Sequence, residues 1–441
     1  MHIAVLLNDL SGGGVERTML TLAGGFLGRG HAVDLVLARY RGPLISELPQ
    51  GARVVVPDAH GGAASRLAIV KADPKGLGVL ARPVLLARRK RQGEMVPRLP
   101  GLAAYLRGER PDVLVSANFR PNLCAVWARE LAGVSTRLVL TERTSPSRHF
   151  PATRANAHHR SVPLLMHRYY PRADRIVTVS RDLADDLAGF AAIPRERILP
   201  IHNPVVDERL LRAAAERPDH PWLQTADGPP VVLGVGRLER RKGFATLIRA
   251  FARVRRQRPL RLVILGDSKS VKHHATDRRT LETLIRSLGV EADVDLPGFK
   301  LNPYAYMARA AVFVLASEYE GLPGVLIQAM ACGCPVVSTD CPTGPREILE
   351  GGTFGPLVPV GDEEAMAYAI VRVLDAPAPQ AMLREWAQRF SVDAAVEAYL
   401  AMFRAIGCGD CAADTPLAEQ QFGQALPLAG IAAAGRLRAA S

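Results

Sequence analysis

Short apolar runs alternate with stretches of helical period along most of the chain. In the first half, runs rich in leucine and β-branched residues fall at 2–8, 31–38, 53–56, 112–116, 137–141 and 175–179, each followed by a helical pattern or a loop. Runs of this length read as strands, and their alternation with amphipathic stretches predicts parallel sheets covered by helices. Ser180 is placed to cap a helix that opens with Asp182 and Asp185, because acids suit the positive end of the dipole. From Asn203 to Pro230 the pattern loosens into Pro, Asp, His and Gly and reads as a linker. A second series of strands then falls at 231–235, 261–265, 294–296, 312–315 and 336–338. Residues 391–404, with Val392, Ala395, Val396, Tyr399, Leu400 and Phe403 apolar, predict an amphipathic helix.

Two βαβ series imply an α/β chain of two Rossmann-like domains with parallel sheets facing across a cleft, ligands lying at the strand C-termini. The 441 residues suit two domains. The expected division is 1–205, with a basic insertion at about 60–110 and the helix 391–405 packing back on it, then 206–390. A tail, 406–441, is rich in Ala, Gly, Gln and Pro and is expected to be poorly ordered.

Hydrophobic residues at 48% and charged ones at 22% suit a soluble globular protein. No apolar run approaches the roughly 18–20 residues of a membrane span. Met1–Asn8 carries no basic leader and reads as a first strand, so a cytoplasmic location is expected. Six cysteines are too scattered for a disulfide framework, and Cys408 with Cys411 lacks the second pair of a zinc site.

Charge changes the picture more. The chain carries +13, with a pI near 9.8. Eight basic residues between Arg82 and Arg110 stand against Glu94 and Glu109. Nucleic acid is excluded as a partner, because aromatics are only 5% and no zinc-finger or RNP-type motif accompanies the charge. Leu77, Leu80, Val84, Leu85 and Leu86 beside Arg88–Arg91 resemble a helix lying on an anionic membrane surface, and a solvated basic helix is the alternative.

Two motifs carry candidate chemistry. In Gly234–Gly243, four cations (Arg237, Arg240, Arg241, Lys242) crowd the start of a helix. That end of the dipole is positive, so the crowding predicts a bound phosphate or diphosphate, Arg237 binding in a fork and Lys242 as a point charge. In Ser317–Met330 a strand ends, a Gly/Pro turn follows, and a helix begins near Gly324 whose free N–H groups form a second anion pocket. Glu320 stands just ahead of it and Gln328 one turn inside. Gly12-Gly13-Gly14 lacks the glycine that a GxGxxG motif needs at 17, where Arg17 stands, so close approach to a diphosphate or acceptor explains it better than dinucleotide binding. Asp293-Val294-Asp295 matches a DxD metal motif, but it leads into a strand end and is assigned to structure. The pairs His158-His159 and His273-His274 are assigned to solvated loops.

Gly-Arg-Leu-x-x-x-Lys-Gly (236–243), Leu-Gly-Asp (265–267), Leu-Pro-Gly-Phe (296–299) and Glu-Gly-Leu-Pro through Cys-Pro-Val-Val (320–337) occur in that order. Together they resemble the retaining glycosyltransferases of family four, which have the GT-B fold, and lie nearest to lipopolysaccharide-core and exopolysaccharide transferases. The resemblance covers roughly residues 1–405 and takes in Gly12–Arg17 and Tyr170–Ser180. It implies that Arg237 and Lys242 bind the donor diphosphate and stabilise it as leaving group, with Glu320 on the donor sugar. It extends the donor site to Gly13, Gly14, Gly236, Asp267, Gly298, Gly321, Gly324 and Val325. Gln328 stands where a second glutamate usually binds ribose; an amide still accepts and donates there, without charge. Where many relatives carry a histidine, this chain has Thr141-Glu142-Arg143-Thr144, which makes Glu142 or Arg143 the acceptor-side candidates.

The implied activity is transfer from a nucleotide-diphosphate sugar, as co-substrate and with no cofactor or essential metal, to a glycan or lipid-linked acceptor. The enzyme would work at the inner face of the membrane. Rival readings are a nucleotide-sugar epimerase, a phosphorylase-like GT-B enzyme, or a non-catalytic basic protein that binds anions or membrane.

Overall fold

A computed structural model describes residues 1–80, 84, 95–150, 157–225, 227–267 and 271–408, the side chains of 157–159 and 271–277 excepted. Its strands are β1 (His2–Leu7), β2 (Ala32–Leu37), β3 (Arg53–Val55), β4 (Val113–Ala117), β5 (Arg137–Glu142), β6 (Arg175–Thr178) and β7 (Ile198–Pro200), then β8 (Val231–Val235), β9 (Arg261–Leu265), β10 (Val294–Gly298), β11 (Val312–Leu315), β12 (Val336–Thr339) and β13 (Leu357–Val358). The helices that position the site are α1 (Gly14–Leu27), α2 (Leu99–Glu109), α3 (Arg181–Ala191), α4 (Phe244–Arg255), α5 (Gly324–Ala331) and α6 (Val392–Ala405).

The strands form two parallel sheets, in the orders β3-β2-β1-β4-β5-β6-β7 and β10-β9-β8-β11-β12-β13. Both sheets reverse direction beside their first strand, and a crevice opens where the order switches. Alternation divides each strand between two apolar layers. Leu6, Leu114 and Leu140 face one core, while Val5, Val115 and Val139 face another. Burial on both faces explains why these strands read as continuous apolar runs. The pattern misses β7 and β13, which are three and two residues long and lie at sheet edges, where Pro200 is tolerated.

Ser180 caps α3 by accepting the Leu183 N–H at 3.2 Å. Helix α6 leaves the second sheet and packs on α1 of the first. Phe26 meets Tyr399 and Phe403 at ring separations of 6.2 and 5.6 Å, and Arg29 pairs with Glu397 and Asp393 at 2.6 and 2.9 Å. Each aromatic ring so buried contributes about 2 kcal/mol from area alone. The chain therefore crosses between the halves twice, and the crossings are tied together. The Val205 and Val206 N–H groups donate to the Phe390 carbonyl at 2.9 and 3.1 Å, and Val392 N–H donates to the Val206 carbonyl at 3.0 Å.

The stretch from Asn203 to Pro230 is not a loose linker. Asp207 caps a helix, Glu208–Ala215, at the Leu210 N–H (2.8 Å). His220, buried, meets Asp295 at 2.9 Å, and Asp219 binds Lys300 and Tyr306. Its polar residues read as loop in sequence because their partners lie some 75 to 90 positions away. In the basic insertion, Ile69, Leu99, Leu102 and Leu106 join the first core, so its described part is folded into the sheet's cover. Arg82, Arg88–Arg91 and the tail beyond 408 lie outside the described residues, as do the side chains of His158, His159, His273 and His274, whose backbone is helical (Ala157–Tyr169 and Val271–Leu288) and not loop as expected.

Candidate active site

A cleft of about 1640 Å³ runs between the two halves at the C-terminal ends of β1, β5, β8 and β11. Gly14 and Arg143 line it from the first half, and Arg237, Glu320, Gly321, Gly324, Val325 and Gln328 from the second. Among the other sequence-predicted residues, Gly13, Gly236, Lys242, Asp267, Gly298 and Glu142 do not form its wall.

The second half builds its wall by close backbone contact. Gly243, at φ +66°, starts α4, and a Cβ there would lie 1.9 Å from the Ala316 carbonyl at the end of β11. Glycine alone lets the basic turn abut the Glu320 loop. Gly236 and Asp267 stand behind the wall; the Asp267 carbonyl accepts from Leu238 N–H at 3.4 Å and supports the turn that aims Arg237. Gly298, at φ +81°, accepts from Gly266 N–H one strand farther out.

Four cations at this turn do not require an outside anion, as the sequence suggested, because three carboxylates of the chain meet them. Glu239 bridges Arg237 and Arg241 at 2.7 and 3.1 Å, and Glu318 approaches Arg240 at 3.7 Å. Glu320 accepts from Lys242 Nζ at 2.6 Å and Ser317 Oγ at 2.7 Å, with Arg241 at 3.6 Å. A single excess positive charge remains. A 3-10 turn, Arg240–Lys242, also intervenes before α4 begins at Phe244, so the cations stand ahead of the dipole's end.

Lys242 and Glu320 are 12% and 10% exposed at their side chains. Burial would raise the Glu320 carboxyl, but the charges of Lys242 and Arg241 and the hydrogen bonds from Lys242 and Ser317 hold it below the ordinary glutamate value. It is therefore ionised and oriented. Helix α5 starts two residues beyond Leu322, after Pro323, and no side chain caps it, so its first N–H groups are open to the cleft beside Gly324 and Val325. Gln328 projects one turn inside.

In the first half, Gly13 precedes α1, and Glu16 folds over it: a Cβ on Gly13 would sit 2.2 Å from the Glu16 carboxylate. The two acceptor-side candidates separate. Glu142 turns into the core, accepting from Asn122 Nδ2 at 3.1 Å and from the Tyr170 hydroxyl, and burial pushes its carboxyl up to about 7 despite both bonds. Arg143 faces the cleft beside Asn203.

The halves touch next to Glu320. A Cβ on Gly321 would lie 2.3 Å from the Arg143 carbonyl, and Ser180 Oγ donates to the Gly321 carbonyl at 3.2 Å. Glu347 accepts from Arg181 N–H at 2.8 Å and pairs with His202 at 2.6 Å. The Asp293-Val294-Asp295 carboxylates are engaged elsewhere, Asp293 with Arg255 at 2.7 Å and Asp295 with His220. Asp293 closes a 3-10 turn rather than lying in the strand, so the two acids do not share a strand face. Two residues of the site carry no signal of their own in the sequence: Arg241, which joins Glu239 to Glu320, and Asn203, which reads as linker. Arg241 was visible in the basic run, but its reach was not.

Comparison with known proteins gives two family matches: "Glycosyltransferase Family 4" over residues 12–209 and "Glycosyl transferases group 1" over residues 229–376. A Campylobacter jejuni N-acetylgalactosamine-N,N'-diacetylbacillosaminyl-diphospho-undecaprenol 4-alpha-N-acetylgalactosaminyltransferase is 36% identical over 256 residues, 58% of this chain and 65% of that protein. The lipopolysaccharide core biosynthesis glycosyltransferase LpsE of Rhizobium meliloti is 34% identical over 187 residues, 41% of this chain and 52% of that one. The matches thus span less than two thirds of either relative. The structure of Anabaena HepE in complex with UDP superposes with a TM-score of 0.70 at 20% identity, covering 92% of this chain and all of that one (100%), which shows a common fold.

Proposed function

This chain belongs to the family 4, group 1 glycosyltransferases, with the GT-B fold, and from that premise we propose that it transfers a sugar from a nucleotide-diphosphate donor to a glycan or lipid-linked acceptor in cell-surface polysaccharide synthesis. The observation that carries the reading is the Glu320 loop: an ionised carboxylate held by Lys242, one residue from the contact between halves and four from an uncapped helix start.

The donor diphosphate rests at the N-terminus of α5, with Arg237 and Arg241 as its cations, and Gln328 takes the ribose hydroxyls. Glu320 accepts from hydroxyls of the donor sugar. Lys242 keeps Glu320 charged, and it reaches the diphosphate only by leaving that pair. The acceptor hydroxyl oxygen bonds to the anomeric carbon as the carbon–oxygen bond to the diphosphate breaks. The electron pair passes to the departing phosphate oxygen, which also takes the acceptor's proton. Attack on the face that the diphosphate leaves retains the anomeric configuration. Cations and helix amides, already placed, stabilise the developing charge, and no divalent metal is assigned.

Thermal-shift measurement against UDP-, GDP- and ADP-sugars tests the reading. One of the three is expected to raise the melting temperature, and stabilisation by none would overturn it. Relatives that act on undecaprenol-linked or lipopolysaccharide acceptors support a lipid-linked acceptor at the inner membrane face. No helix among the described residues is long and apolar enough to cross a membrane. We assign surface attachment to the basic 82–110 segment. Neutralising Arg88–Arg91 is expected to weaken binding to anionic vesicles, and unchanged binding would refute the attachment.

A further inference from the structure

One buried cation in the cleft makes no ion pair. Arg143, the residue after β5, is only 8% exposed. Its guanidinium donates to Asn203 Oδ1 at 2.5 Å, to the Tyr399 hydroxyl at 3.2 Å and to Met19 Sδ at 3.2 Å. All three acceptors are neutral. Its Nε has no partner, and no carboxylate among the described residues pairs with it. Glu142, its chain neighbour, is turned toward Asn122 and Tyr170 and acts on it only through space.

Arg175 and Arg261 also hold an unpartnered buried Nε, but two other half-buried arginines are paired with acids. Arg129 meets Asp174 at 2.5 Å and Arg168 meets Asp73 at 2.6 Å. A guanidinium taken out of water among neutral acceptors is unfavourable, and buried charges are paired as a rule. An anionic ligand would supply the ion pair that Arg143 lacks, and Arg143 lies on the cleft wall where a ligand would stand.

We propose that Arg143 binds an oxyanion, phosphate or carboxylate, carried by the acceptor. This rests on the transferase reading above. The donor's diphosphate has its own cations and helix end on the second half. Every partner of Arg143, by contrast, belongs to α1, α6 or the crossing segment at Asn203. The fork geometry of arginine suits either anion and takes two of its oxygens at once.

The test uses the full chain saturated with UDP, so that the donor side is filled, and titrates inorganic pyrophosphate, D-glucuronate and D-glucose by calorimetry. One of the two anions is expected to bind and glucose is not. Pyrophosphate binding points to a diphosphate-linked acceptor, and glucuronate binding to an acidic sugar. Arg143→Met is expected to weaken the anion by about tenfold or more, with UDP affinity unchanged. Asn203→Asp supplies the absent carboxylate from within. It is expected to weaken anion binding by a similar factor while the melting temperature holds or rises, a combination that a purely structural arginine would not give. The proposal is overturned if neither anion binds better than glucose, if Asn203→Asp binds anion as the parent does, or if Arg143→Met lowers UDP affinity in proportion. Failure of UDP itself to bind would strike the transferase reading instead.

Discussion

Replacing Lys242 by Met separates the structural from the chemical role of the Glu320 pair. The change removes an ammonium 2.6 Å from a carboxylate that is 10% exposed, and keeps most of the side-chain volume. Breaking a buried pair by deleting one partner costs about 3–5 kcal/mol when the other charge is stranded. Here Ser317 Oγ at 2.7 Å and Arg241 at 3.6 Å remain, so the expected loss is about 2–3 kcal/mol. The double variant Lys242→Met, Glu320→Gln removes the stranded charge and is expected to recover most of that loss. Turnover, however, stays down by about 100-fold or more in both, because neither restores the charge arrangement at the donor. The pH dependence supplies a further check. The Glu320 carboxyl is held below 4.5 in the fold, so its contribution is present above 4.5 and disappears as pH falls through the lower folded value. The gap between parent and single variant should therefore narrow in acid. Urea unfolding followed at Trp222 and Trp386, both in the second half, reads the stability, and donor turnover reads the chemistry. Coincident unfolding of parent, single and double variants would show that the pair carries no energy, and a single variant with parental turnover would remove it from the mechanism.

Arg237→Ala is expected to lower donor turnover by about 100- to 1000-fold with stability within about 1 kcal/mol of the parent, since the side chain is 41% exposed and its bond to Glu239 is solvent-screened; steady-state kinetics beside thermal melts checks both. Glu142→Gln should change the pH dependence of stability. Burial lifts the Glu142 carboxyl from 4.5 to about 7, so the fold keeps a proton that the unfolded chain has released, and parental stability falls as pH rises between those values. The variant should lack this slope and be more stable than the parent at pH 8 by on the order of 3 kcal/mol; parallel slopes in chemical denaturation would refute it. Gly321→Ala drives a methyl against the Arg143 carbonyl, 2.3 Å away, with backbone on both sides and nothing flexible to give. Scattering is expected to show the halves held farther apart, with turnover lost and nucleotide still bound. Chelation with EDTA should leave turnover unchanged, and its abolition, restored by a divalent ion, would overturn the metal-independent reading.

The sheet architecture was legible because parallel strands buried on both faces must be apolar throughout, and β1, β4, β5, β8 and β11 carry that constraint openly. Edge strands of two or three residues carry too few positions to show a period. The stretch around Asp207–His220 was misread for a different reason: composition reports which residues are polar, not that Asp219 and His220 find Tyr306 and Asp295 far along the chain. The site was legible in part. Glycine positions and the charged residues at strand ends showed where a ligand belongs. Glu239 stood within the basic run itself, but the neutralisation by Glu318 and Glu320 was not legible, because a pairing across two loops depends on their approach, which Gly243 permits and no local pattern announces. Nor could spacing decide between Glu142 and Arg143, adjacent residues that the strand's end sends in opposite directions.

Helix α6 has a consequence for the order in which the molecule is made. Its aromatic face completes the layer under β1, β4 and β5, although it comes from residues 392–405. Synthesis delivers the first sheet early and the piece that seals it late, after the whole second half has emerged. The second half, whose two ends meet at Val206 and Phe390, has all its own parts in hand before then. On the ribosome the half begun second is thus expected to finish first, and the half begun first to wait with an open apolar face on α1, the interval in which the nascent chain has most need of a chaperone.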